Sequence, residues 1–168
     1  MSLPTPDKIL CCHRRCSLAA IADHAVGERA AGSHRLSLQR RSGYRLLRAT
    51  ITGLRTHAPA AFPVIVRSGA NLPPDTDAYC TRRNSRFVIM LGHHLGSQSA
   101  VEAVIHEWAH ARAWSHMHDR AAADMQAGRI DAAEFEVLVH DGTWGVEFAF
   151  CWRVFTGKVL PGFDPAAA

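Results

Sequence analysis

The feature that most limits how this chain can fold is His106-Glu107-Trp108-Ala109-His110, three ionisable side chains set among the apolar residues Val101, Val104, Ile105 and Trp108. Ser99, with Glu102 three residues later, predicts a capping box and a helix start at about Ala100. On a helix, residues four apart share a face, so both imidazoles reach one point in space. Zinc accepts imidazole nitrogen in tetrahedral geometry, and a catalytic site keeps one position open for water. Glu107 stands beside the two histidines, placed to take a proton from that water and later to deliver it to a leaving amine. The sequence holds eleven histidines, and a shuffled chain of this composition would show the H-E-x-x-H spacing at roughly a few per cent. The rival reading is a helix that merely exposes two histidines and a glutamate. A well-signalled helix start just after an apolar strand favours the metal.

A third ligand must come from elsewhere. His116 has the spacing of the pattern H-E-x-x-H-x-x-G-x-x-H, but Ala113 stands where that pattern has its helix-breaking glycine. The helix is therefore expected to run on through Trp114, with His116 on its flank, Met117 inward and His118 at the surface. His140, in the turn His140-Asp141-Gly142 between two helical stretches, ranks first. Glu147 on the following helix ranks second and His116 third. Asp141 reads either as an orienting partner or as a helix N-cap.

The rest of the chain supplies an α+β frame. Ser17 can cap a helix from about Leu18 to Ala31, ended by Gly32. Tyr44, Leu47, Ile51 and Leu54 mark one face of a helix over Gly43 to His57, whose other face carries Arg45, Arg48 and Arg55. Phe62 to Arg67 reads as a strand, followed by a polar loop through Pro73 and Pro74. Ala78 to Arg82 and Arg86 to Leu91 flank Arg83-Asn84-Ser85 as a hairpin. The uniformly apolar Phe87 to Leu91 suits a strand buried on both faces. Beyond the motif, Asp119 to Ala127 closed by Gly128, a capping box at Asp131 and Glu134 opening a helix through Val139, and Trp144 to Phe155 stopped by Gly157 complete the helices. The expected fold is a small three-stranded or slightly larger sheet packed on the motif helix, with further helices around it.

Composition narrows the setting. Hydrophobic residues make up 48% and charged residues 20% of 168, ordinary values for one globular domain. No apolar run is long enough to span a membrane and no secretory signal is visible at the N-terminus, so a cytoplasmic protein is expected. Five cysteines, an odd number without regular spacing, fit reduced thiols better than a disulfide framework. Cys11, Cys12, His13 and Cys16 lie close together but have no second ligand pair to make a structural zinc site. Residues 1–60 hold ten Lys+Arg against three Asp+Glu, a net of +7, and the remainder nine against twelve, a net of −3. The basic portion makes DNA a candidate partner.

The order of a basic helical N-terminus, a small sheet, His106-Glu107-x-x-His110 and a later His-x-x-x-Trp segment resembles the SprT-like minimal zincins, and is closer still to small metallopeptidases of phages and mobile elements. The resemblance covers roughly residues 40–157. It implies a zincin-like metallopeptidase domain over 41–157, after a basic helical extension (1–40) and before a tail (158–168). It also implies a Zn2+ cofactor held by His106, His110 and His140, with Glu107 as general base and a protein or peptide as substrate. The gap from His110 to His140 is longer than in that family, and the helical piece around Asp119 to Gly128 fills it. The apolar strand Phe87 to Leu91 is expected to border the cleft and pair with substrate backbone. The competing expectation is non-enzymatic: a basic nucleic-acid-binding or regulatory module whose zinc site is structural or vestigial.

Overall fold

A computed structural model describes residues 11–14, 32–70, 72 and 76–157. Within them the order is β1 (Cys11–Arg14), α1 (Gly32–His57), β2 (Val64–Ala70), β3 (Thr76–Arg83), β4 (Arg86–Gly92), α2 (Ser97–Ala113), α3 (His116–Gln126), α4 (Ala132–Val139) and α5 (Gly142–Phe155). The fold is α+β, with a small mixed sheet and five helices. The expected helix over Leu18 to Ala31, the Pro73-Pro74 loop and the side chains of Cys11, Cys12, His13 and Cys16 fall outside what is described.

The sheet order is β1-β3-β4-β2. β3 and β4 form the expected antiparallel hairpin, and its turn places Asn84 at φ 52°, a left-handed conformation that asparagine tolerates better than most residues. β2 lies parallel to β4, and β1 adds a fourth strand antiparallel to β3. β4 is therefore interior, paired along both edges. This overturns the expectation that Phe87 to Leu91 receives a substrate strand, because its main-chain donors and acceptors are already committed to β2 and β3. Its residues Phe87, Val88, Ile89 and Leu91 are buried, as the apolar run requires.

α1 begins at Gly32, upstream of the segment that the spacing of Tyr44 to Leu54 marks out, and turns Leu54 and Ala58 at its end into the core. α2 is the central helix, packed against the sheet, α1 and α5. Nearly its whole circumference is covered: Val101, Val104, Ile105, Trp108, Ala109 and His110 are all buried. Burying each of Val101, Val104 and Ile105 contributes about 1.5–3 kcal/mol, which offsets the cost of enclosing the polar residues of the same helix. Trp108 donates its indole N–H to the Ala58 carbonyl at 2.8 Å, tying α2 to the end of α1.

The start of α2 differs from expectation. Its N-cap is Gly96, without a side-chain cap, so Ser99 already lies inside the helix and cannot act as a cap, while Glu102 accepts instead from Gln98. α2 ends at Ala113, and the chain leaves through an extended Trp114 (φ −58°, ψ 122°). Ser115 then caps α3 and His118 closes its capping box. This restart rephases the helical face. Met117 is exposed and His118 is buried, the reverse of what a helix running through would give. α3 and α4 pack on each other around a separate small core of Ala121, Ala122, Phe135 and Val139. Asp131 and Glu134 form the expected capping box of α4, and Gly128 and Gly157, both at φ 68°, follow the ends of α3 and α5. Among the described residues no helix is long and apolar enough to cross a membrane.

Candidate metal centre

His106 and His110 sit one turn apart on α2, and their Nε2 atoms are 3.2 Å apart. His140, the residue that ends α4, brings its Nε2 to 3.1 Å from that of His110 and 3.1 Å from that of His106. Three ring nitrogens thus form a nearly equilateral triangle. Each Nε2 has one in-plane site, either a hydrogen or a lone pair, so it cannot donate and accept at once. A triangle of such atoms cannot satisfy all of its members by mutual hydrogen bonds. Three lone pairs converging on a cation satisfy all of them, and with Zn–N bonds of about 2.0–2.1 Å a tetrahedral site needs donors about 3.3–3.4 Å apart. The observed edges are within a few tenths of an ångström of that spacing. Three histidines at this separation could bind a metal ion.

The orientation of His140 follows from its other nitrogen. Nδ1 lies 2.9 Å from the Glu136 carbonyl oxygen and 3.1 Å from the Glu136 carboxylate. A carbonyl only accepts, so Nδ1 carries a hydrogen, and Nε2 is the nitrogen left to offer a lone pair to a metal. Glu136 is the orienting partner that sequence reasoning missed. Its signal was present as a glutamate one helical turn before His140, on a helix that ends there. Asp141, the candidate considered for that role, instead caps α5 by accepting from the Trp144 amide at 2.9 Å.

Glu107 is fully buried. Neither of its carboxylate oxygens has a well-formed hydrogen bond among the described residues. Burial first, and the Glu136 charge second, push its pKa well above the usual carboxylate range, while the main-chain amide of Cys80 offsets only part of this. The carboxyl therefore lies within reach of Cys80 on β3.

The other ligand candidates lie elsewhere. Glu147 pairs with Arg112 at 2.5 Å, and the same guanidinium donates to the Pro59 carbonyl and lies 4.9 Å from the Phe150 ring centroid. This ion pair braces α2 against α5. His116 is exposed at the start of α3. His118 stacks on Trp114 at 5.6 Å and its Nδ1 accepts the Ser115 amide. His93 and His94 are exposed, and His94 pairs with Asp77 at 2.8 Å.

Trp144 packs on all three imidazoles, with ring centroids 4.4 Å from His140, 4.9 Å from His106 and 5.4 Å from His110. Phe148 stacks behind it at 5.0 Å. The Trp144 indole nitrogen is buried and has no hydrogen-bond partner among the described residues. Comparison of the chain with protein-family models, curated proteins and solved structures found no match.

Proposed function

We propose that this chain is a zinc metallopeptidase with a zincin-like fold, in which His106, His110 and His140 hold the metal and Glu107 is the general base. The observation that carries the reading is the triangle of Nε2 atoms, 3.1–3.2 Å on each edge, with a buried glutamate next in sequence to one corner. The fold class and the helix that bears the motif are consistent with it. Bound zinc would supply Lewis acidity at the scissile carbonyl and a lowered pKa for the attacking water.

The chain's own groups supply the proton transfers. Glu107 accepts a proton from the water as its oxygen bonds to the carbonyl carbon, then passes that proton to the amine nitrogen as the C–N bond breaks. Neither carboxylate oxygen has a well-formed hydrogen bond among the described residues, which suits the group to both transfers. Its raised pKa in the metal-free chain follows from burial, and a nearby dication favours the charged form. Glu136 holds His140 in the tautomer that can ligate.

The test is Glu107→Gln beside His140→Ala. Metal analysis should find one zinc per chain in Glu107→Gln, with hydrolysis of an unstructured protein substrate reduced about 10²–10⁴-fold. His140→Ala should lose tightly held zinc. Full activity of Glu107→Gln would refute the base assignment. Salt-dependent DNA binding that survives chelation, with no cleavage of any protein, would favour the non-enzymatic reading.

A further inference from the structure

The strand beside the candidate site is β3, which has β4 along one side and β1 along the other. α2 packs against β3, and the Cys80 main chain lies beside the Glu107 carboxylate. The outer edge of β3 at this point is already paired: Cys11 lies opposite Cys80, Cys12 opposite Tyr79 and His13 opposite Ala78, all antiparallel. β1 also packs against α4, the helix that ends at His140. A short segment from the chain's own N-terminal region thus lies along the strand next to Glu107 and beside the helix that delivers the third histidine.

We propose that Cys11–Arg14 occupies in cis a strand-docking edge of β3, and that an extended peptide, paired antiparallel by main-chain hydrogen bonds, binds there in its place. This rests on the metallopeptidase reading only in naming the peptide as a substrate; the docking edge is independent of it. Three features suit β1 to displacement. It is four residues long, and its register slips between His13 and Arg14, so few ladder bonds hold it. Among the described residues it is an edge strand, paired only to β3. It is tethered, and a tethered segment competes at an effective concentration of the order of millimolar, enough to exclude weak binders while yielding to a better-matched strand. Recognition of this kind reads main chain first, so the partner is an extended or unfolded polypeptide rather than one fixed sequence.

Proline tests the pairing, since it removes the N–H that a ladder bond needs. In an edge strand, successive N–H groups point alternately to the neighbour and to solvent. Of the full-length variants Cys12→Pro and His13→Pro, one should therefore break the ladder and the other should act as its control for folding. The probe is a fluorescent synthetic peptide with the sequence of residues 9–16, titrated into each protein in a Glu107→Gln background so that nothing is cut. The expected result is at least tenfold tighter probe binding by one of the two proline variants than by the parent chain. Hydrogen exchange should show β3 amides losing protection in that variant and regaining it with probe. With Glu107 restored and zinc bound, the same variant should cleave an unfolded protein at least tenfold faster. Equal probe affinity in the parent and both variants would overturn the proposal, even if all three cleave protein at the same rate. Tighter probe binding with no cleavage by any of them would uphold the docking edge and reject the metallopeptidase reading.

Discussion

Glu136 does two things from one position. Its carbonyl and carboxylate both receive the Nδ1–H of His140, while its charge adds to the burial that raises the pKa of Glu107. A ligand histidine is made more basic and held in orientation by such a partner, and its loss commonly costs 10–100-fold in metal affinity. Glu136→Gln should therefore weaken zinc binding less than the upper figure, because the main-chain acceptor remains. A competition titration against a chromophoric chelator should report a loss of about tenfold. Glu136→Ala is expected to give a similar loss, since it too leaves the carbonyl in place. An unchanged affinity in both variants would mean that the carbonyl alone orients the ring.

Helices in this protein position chemistry by where they stop. α4 ends at His140, and α2 ends soon after His110, so both contribute candidate ligands close to their C-terminal ends. Between α2 and α5 the brace is Arg112 with Glu147. Glu147→Gln should keep its zinc, because the carboxylate is held by arginine and lies outside the triangle, and should destabilise the fold by about 1–3 kcal/mol, the range for breaking a hydrogen bond to a charged group. Thermal unfolding and metal analysis of the same sample separate the two effects; loss of zinc with the fold intact would return Glu147 to the ligand set.

Much at this scale was legible in the sequence. The capping box at Asp131, the Asn84-Ser85 turn and the four-residue spacing of His106 and His110 are local codes, readable from neighbours alone. The start of α2 was misread because Gly96 caps without a side chain, so a better-looking box at Ser99 drew the boundary. The faces of Met117 and His118 were misread because the break at Trp114 and Ser115 resets the helical phase, and no strong breaker residue marks it. The pairing of β1 with β3 joins segments more than sixty residues apart, and no local pattern in Cys11–Arg14 announces it.

Across the whole molecule, the candidate metal centre joins two packing units. α2 belongs to the main core with Leu54, Phe87, Ile89 and Val104. α4 belongs to the smaller core it shares with α3. A ligand that binds only the folded arrangement stabilises it according to its concentration over its Kd, about 2.7 kcal/mol at a hundredfold excess. Chelation should therefore lower the Tm and release amide protection chiefly in α3 and α4, while amides of β3, β4 and α2 stay protected. Hydrogen exchange with and without zinc measures this directly; uniform loss across both cores would mean they open as one.

The helical pair inserted between His110 and His140 has a small nucleus of its own. Its two alanines, one phenylalanine and one valine bury far less than the central helix does, so the arm that carries the third imidazole is the weaker partner in the clasp. On the metallopeptidase reading, ion capture would double as an assembly checkpoint: with α4 undocked the cation would meet only two donors, and hydrolytic power would arrive together with the finished architecture.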